Sequence, residues 1–174
     1  MRREFIEATG SCGNRLIVEF FWCTDRFAQL ISVADASGNI TPLLESLEGA
    51  ATDAWPSSPP LQSLGLETLP DGRRAALLVG MAGGSYWSAS VEQIVGKAAL
   101  TFDIACRHSK TPAFLGNRYR RLAEAATTME IAGEEVLVIE QESGVEIQRS
   151  GVVRSVDTTR WKFHIEIRSP GTEY

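Results

Sequence analysis

The run Ala75-Ala76-Leu77-Leu78-Val79 is apolar at every position and leads into Gly80-Met81-Ala82-Gly83-Gly84. Beyond that glycine-rich turn, Trp87, Ala89 and Val91 alternate with Ser88, Ser90 and Glu92. After a Gly96-Lys97 turn, Leu100, Phe102, Ile104 and Cys106 alternate with Thr101, Asp103, Ala105 and Arg107. Successive side chains on a strand point to opposite faces, so this alternation describes two half-buried strands. The unbroken apolar run before them has the pattern of a strand buried on both faces. Three consecutive antiparallel strands at the middle of a β-rich core follow from this stretch. The expected core residues are Trp87, Phe102, Ile104, Trp161, Phe163 and Ile165.

Working outward, Arg15–Trp22 is rich in β-branched and aromatic residues, and Thr24-Asp25 turns it into a second strand, Arg26–Ala34. Asp35–Asn39 ends that strand with turn formers. Thr41-Pro42 has the pattern of a helix N-cap followed by proline in the first turn. Leu43, Leu44, Leu47 and Gly49 then fit one short helix. Trp55–Pro60 is held extended by its prolines, with Trp55 expected to cap the core. Pro70-Asp71-Gly72 is a turn. Residues 108–131 read as a short helix or irregular segment that feeds a strand, with Ala123–Ala126 favouring helix. Glu134–Gln141, Val145–Arg149 and Val152–Val156 read as a meander with Ser-Gly turns. Trp161, Phe163, Ile165 and Ile167 alternate with polar residues in a last strand. The expected fold is mainly β. It is one domain over residues 1–174, an antiparallel sandwich or barrel of about eight to ten strands with one or two short helices.

A chain of 174 residues is long enough for one well-buried core. Its hydrophobic share of 44% and charged share of 22% are those of a globular protein. The net charge of −5 argues against generic binding to nucleic acid or to an anionic membrane. Met1–Glu7 carries basic residues with no apolar stretch behind them, unlike a signal peptide. Cys12, Cys23 and Cys106 have no Cys-x-x-Cys spacing, which predicts free thiols in the cytoplasm.

Few residues advertise chemistry. His108 and His164 have no zinc-type spacing with the cysteines, so neither a metal nor a cofactor is expected. The Gly80–Ser85 loop has neither a phosphate-loop ending nor a following helix, so a turn or bulge with close backbone packing is expected there. Charge distribution is the most unusual feature. Arg107, Lys110, Arg118, Arg120 and Arg121 lie between Ile104 and Ala123 with no acid among them. Glu124–Glu146 then holds seven glutamates and no base. The two segments are expected mostly to neutralise each other on neighbouring strands.

The strings Trp55–Gln62, Leu78–Gly83, Trp87–Glu92 and Phe102–Arg107 resemble a family of uncharacterised bacterial proteins. That resemblance implies a bacterial source and carries no activity, cofactor or site residue.

The leading expectation is a non-enzymatic domain that binds a small anionic ligand or an acidic protein segment through Arg107, His108, Arg118, Tyr119 and Arg121. A hydrolase or isomerase using Asp103 and His108 in a barrel cavity is the alternative from another class. A scaffold joined through an edge strand or the Trp55 loop is the third.

Overall fold

The computed structural model describes residues 3–123, 128–154 and 156–168. Among them the chain forms thirteen strands and no helix. They are β1 (Arg3–Thr9), β2 (Arg15–Cys23), β3 (Arg26–Ala34), β4 (Ile40–Ser46), β5 (Leu61–Thr68), β6 (Arg74–Ala82), β7 (Ser85–Gln93), β8 (Ala99–His108), β9 (Gly116–Arg121), β10 (Thr128–Glu134), β11 (Val136–Gln141), β12 (Gly144–Arg149) and β13 (Asp157–Arg168). A seven-stranded sheet has the order β1-β2-β3-β4-β9-β12-β11, and a six-stranded sheet the order β10-β13-β8-β7-β6-β5. Paired strands are antiparallel in both sheets. The edges of one sheet do not pair with those of the other, so the architecture is an open sandwich and not a closed barrel.

The three strands read from the opening stretch are β6, β7 and β8, adjacent in that order. Their inward residues Trp87, Phe102 and Ile104 meet Trp161, Phe163 and Ile165 of β13, and all six are buried. Phe102 stacks on Phe163 with ring centroids 4.8 Å apart, and Trp87 meets Trp161 edge-on at 6.1 Å. Cys12, Cys23 and Cys106 are free, and burial pushes the Cys106 thiol up to about 12, which makes it a core group and a poor nucleophile.

Several expectations are corrected. The helix expected from Thr41-Pro42 is β4, a strand between β3 and β9. Pairing with β3 slips beside Pro42, which sits opposite Ser32 while Leu44 sits opposite Ile31. The extra residue of this bulge, Leu43, is buried along with Leu44. Two adjacent buried leucines break the period of a plain strand, and so the segment imitates a helix in sequence. Residues 116–121, expected to be helical or irregular, are β9; positions 124–126 of the expected helix lie outside the described residues. The expected strand Glu134–Gln141 is interrupted at Glu135, whose φ is 57°. That break sends β10 into the six-stranded sheet and β11 into the seven-stranded one. Residues 152–154 form no strand, and the C-terminal strands are not a meander, because β12 pairs with β9 and β11 while β13 pairs with β8 and β10.

Residues 47–60 carry the chain from β4 in one sheet to β5 in the other. Trp55 packs against the core edge-on to His108, at 6.2 Å between ring centroids, as its expected capping role requires. A buried polar network holds the start of this crossover. The Arg26 side chain is 2% exposed and donates to both carboxylate oxygens of Asp25, at 2.8 and 3.0 Å. It also donates to the Glu48 carbonyl at 3.3 Å. Tyr119 Oη donates to Gln29 Oε1 at 2.9 Å, and the Gln29 N–H donates to Ser46 Oγ at 2.7 Å. Ser46 Oγ in turn donates to Glu48 Oε1. Glu48 Oε2 is buried with no partner among the described residues.

Burial raises the Glu48 carboxyl to about 7, against the opposing pull of Ser46 and Arg26. Between the unfolded value of 4.5 and about 7 the folded chain therefore holds a proton that the unfolded chain has lost. Stability contributed by this group falls as pH rises through that window. Replacing Glu48 with Gln should leave the melting temperature nearly unchanged at pH 5. At pH 8 it should raise stability by about 2 kcal/mol, less than the full shift implies because the amide is also left short of a partner. Melting curves of both proteins at the two pH values check this; an equal difference at both would show that Glu48 ionises normally.

Candidate functional site

The outer face of the six-stranded sheet carries no covering element among the described residues, and its β6 half is apolar. Leu77, Val79 and Met81 alternate outward along β6 and are 46%, 54% and 47% exposed. Exposed apolar side chains scattered singly need no explanation, but neighbours on one face form a patch. Cross-strand register shows what surrounds them. Met81 lies opposite Tyr86 on β7, Tyr86 opposite Arg107 on β8, and Arg107 opposite Thr158 on β13. In the next row Ser63 lies opposite Val79, Val79 opposite Ser88, and Ser88 opposite Ala105. Small residues thus form a floor, while Met81, Tyr86 and Arg107 rise along one side. The result is a groove of about 550 Å³, within the range of small-molecule sites.

The groove's far end is built by a bulge. Pairing of β5 with β6 slips between Leu61 and Ser63, and the extra residue, Gln62, uses its side-chain oxygen to accept from the Met81 N–H at 3.1 Å. Opposite the bulge, a Cβ on Gly80 would lie 1.8 Å from the Pro60 carbonyl oxygen. Only glycine lets the incoming chain approach β6 this closely. The turn and close backbone packing expected of Gly80–Ser85 are found at Gly83-Gly84 and at Gly80, while the bulge itself lies on β5.

The residues singled out in sequence are dispersed. Arg107 is exposed at the groove, with no ion pair among the described residues. His108, the next residue, faces inward and is 3% exposed. Its Nε2 bonds Thr159 Oγ1 at 2.9 Å and its Nδ1 the Lys110 carbonyl at 3.1 Å. Arg118 lies on the other sheet, where its Nε donates to Glu146 at 2.7 Å across β9 and β12 and its guanidinium sits 3.9 Å over the Phe114 ring. Arg121 pairs with Glu140 at 3.5 Å and Arg120 with Glu45 at 2.5 Å. Tyr119 faces the core, and burial raises its hydroxyl above the usual tyrosine range. Arg118 and Arg121 are therefore neutralised by glutamates of the acidic segment, and Arg107 stands apart from them. Asp103 and His108 are on opposite faces of β8. Asp103 is held by Arg160 of β13 through two hydrogen bonds, at 2.6 and 2.5 Å.

Comparison with protein-family models, with curated proteins and with solved structures finds no match to this chain in any of the three. Among the described residues no three His, Cys, Asp or Glu side chains are grouped to hold a metal, and no helix is long and apolar enough to cross a membrane.

Sequence reasoning missed Val79, Met81, Tyr86 and Gln62. A signal for the first two was present. The run Ala75–Val79 is apolar on both faces, which reads as a strand covered on both sides. In the fold β6 lies between β5 and β7, yet its outer face is open. The surplus of apolar residues on that face is the trace of the groove.

Proposed function

We propose that the chain is a non-enzymatic binding domain for a small anionic ligand, held at the groove on the outer face of the six-stranded sheet. Arg107 carries the reading. It is exposed, free of any ion pair among the described residues, and set at the end of an apolar groove. A guanidinium offers a planar fork matched to an anionic oxygen pair, and it is less strongly hydrated than an ammonium. Neighbouring Tyr86 and Met81 lower the local polarity and strengthen that contact. The paired arginines Arg118 and Arg121 gain little from an added anion, since each already faces a glutamate. His108 and Tyr119 serve the fold through buried hydrogen bonds.

Thermal-shift measurements across a panel of carboxylates and phosphates at low and moderate salt test the reading. A ligand at 100 times its dissociation constant adds about 2.7 kcal/mol of stability. Arg107→Ala should lose that shift while Arg118→Ala and Arg121→Ala keep it. A shift lost with Arg118 or Arg121 and kept without Arg107 would move the site to the seven-stranded sheet. No shift with any anion would remove the reading.

A further inference from the structure

The lining of the groove narrows the ligand to one chemical class, and this step rests on the reading above. We infer that the groove takes an amphipathic monocarboxylate, with its carboxylate on Arg107 and its apolar body lying across β7 and β6 toward Gln62.

Charge sets the first limit. Arg107 is the single basic residue lining the groove, alongside Gln62, Ser63, Ser88 and Thr158 as the polar neighbours. Phosphate sites usually add a second cation, a glycine-rich nest or a helix N-terminus. The lining provides no second cation, and the chain forms no helix among the described residues. A phosphate monoester carries about 1.5 to 2 negative charges at neutral pH, so one guanidinium would leave part of that charge unmatched against an apolar surface. A carboxylate carries one charge and two oxygens, which one guanidinium satisfies in parallel.

Shape sets the second limit. Arg107 is on β8 and Met81 on β6, with β7 between them. Neighbouring strands are about 4.8 Å apart, so the distance from anion contact to apolar ridge is roughly 10 Å. The floor along that path is Ala105, Ser88 and Val79, flat enough for an extended or planar body. Met81 at the rim has an unbranched side chain that adapts to the body it meets. Gln62, pinned to the Met81 N–H, closes the far side. A bare small anion such as acetate would use Arg107 alone and leave the apolar area open. A neutral amphiphile would use the apolar area and leave the guanidinium unpaired.

Isothermal titration with decanoate, decyl phosphate, decanol and acetate, each below its micelle threshold, separates these cases. Decanoate should bind, and decanol, acetate and decyl phosphate should each bind at least about tenfold more weakly. Arg107→Gln should weaken decanoate at least about tenfold without changing the melting temperature of the free protein, since the residue is exposed and unpaired. Val79→Glu, a change at a half-exposed position, should abolish decanoate binding by placing a like charge on its path. Decyl phosphate binding more tightly than decanoate, in an Arg107-dependent way, would overturn the carboxylate class and leave the anion reading standing. Decanol binding as well as decanoate would overturn both. So would a face occupied by a second copy of the chain, seen as a dimer in sedimentation that Val79→Glu dissociates and decanoate leaves intact.

Discussion

Phe102→Ala should lower stability by about 3–5 kcal/mol, the range for deleting a fully buried aromatic ring. Phe102 is 1% exposed and lies at the centre of the six-stranded sheet's inner face. It stacks on Phe163 with the two rings 6° from parallel. Its strand neighbours at the same level are Val91 on β7 and Phe163 on β13, both buried. Truncation therefore removes the transfer energy of the ring, its aromatic contact and the packing of residues that cannot collapse into the space. For a chain of this size the loss corresponds to a fall in melting temperature of roughly 10 °C. Thermal or urea unfolding measures it directly. A variant that melts like wild type would mean that the inner and outer faces of β8 are assigned the wrong way round.

Gly80→Ala is the second large effect. The added Cβ would stand 1.8 Å from the Pro60 carbonyl oxygen, 2.8 Å from its carbon and 3.0 Å from the Gln62 amide nitrogen. All three are backbone atoms beside an antiparallel ladder, so no side chain can swing away to relieve the clash. The expected loss is about 3 kcal/mol, at the upper end of overpacking effects. Displacing Pro60 also shifts Gln62 and its bond to the Met81 N–H, so the groove should lose affinity in protein that remains folded. Gly65→Ala is the matched control. It lies on the same strand pair, and its nearest contact would be Glu67 Oε1 at 3.9 Å. That change should be neutral or stabilising by about 0.5 kcal/mol, because alanine loses less chain entropy than glycine in a strand. Equal melting temperatures for the two variants would show that the close approach at Gly80 does not exist.

Much of the chain was legible from turn formers and side-chain alternation. Turn formers on either side marked Arg26–Ala34 to the residue, and the period of two marked the inward faces of β7, β8 and β13. The expectation that arginines of the basic stretch meet glutamates of the acidic one held for Arg118 with Glu146 and Arg121 with Glu140. The site was less legible. Arg107, His108, Arg118, Tyr119 and Arg121 are close in sequence, yet they are divided between two sheets and between inner and outer faces. A loop between strands separates Arg107 and His108 from the others, and strand alternation separates Arg107 from His108 and Arg118 from Tyr119.

The sequence by itself determined that β2, β3, β6, β7, β8 and β13 are extended and which faces of β7, β8 and β13 are apolar, because both follow from the local geometry of a strand. Tertiary structure alone decided which strands are neighbours. Thr41–Ser46 is a strand because β3 and β9 supply its hydrogen-bond partners, and β9 lies some seventy residues away. Glu135, which the sequence reads as part of the strand Glu134–Gln141, ends β10 instead, because its left-handed backbone turns the chain between sheets. That the outer face of β6 is apolar was legible and that it is open was not, since an apolar side chain has the same identity under a covering layer or under water. Exposure is a property of what packs above a residue, and at Leu77, Val79 and Met81 no described element of the chain does.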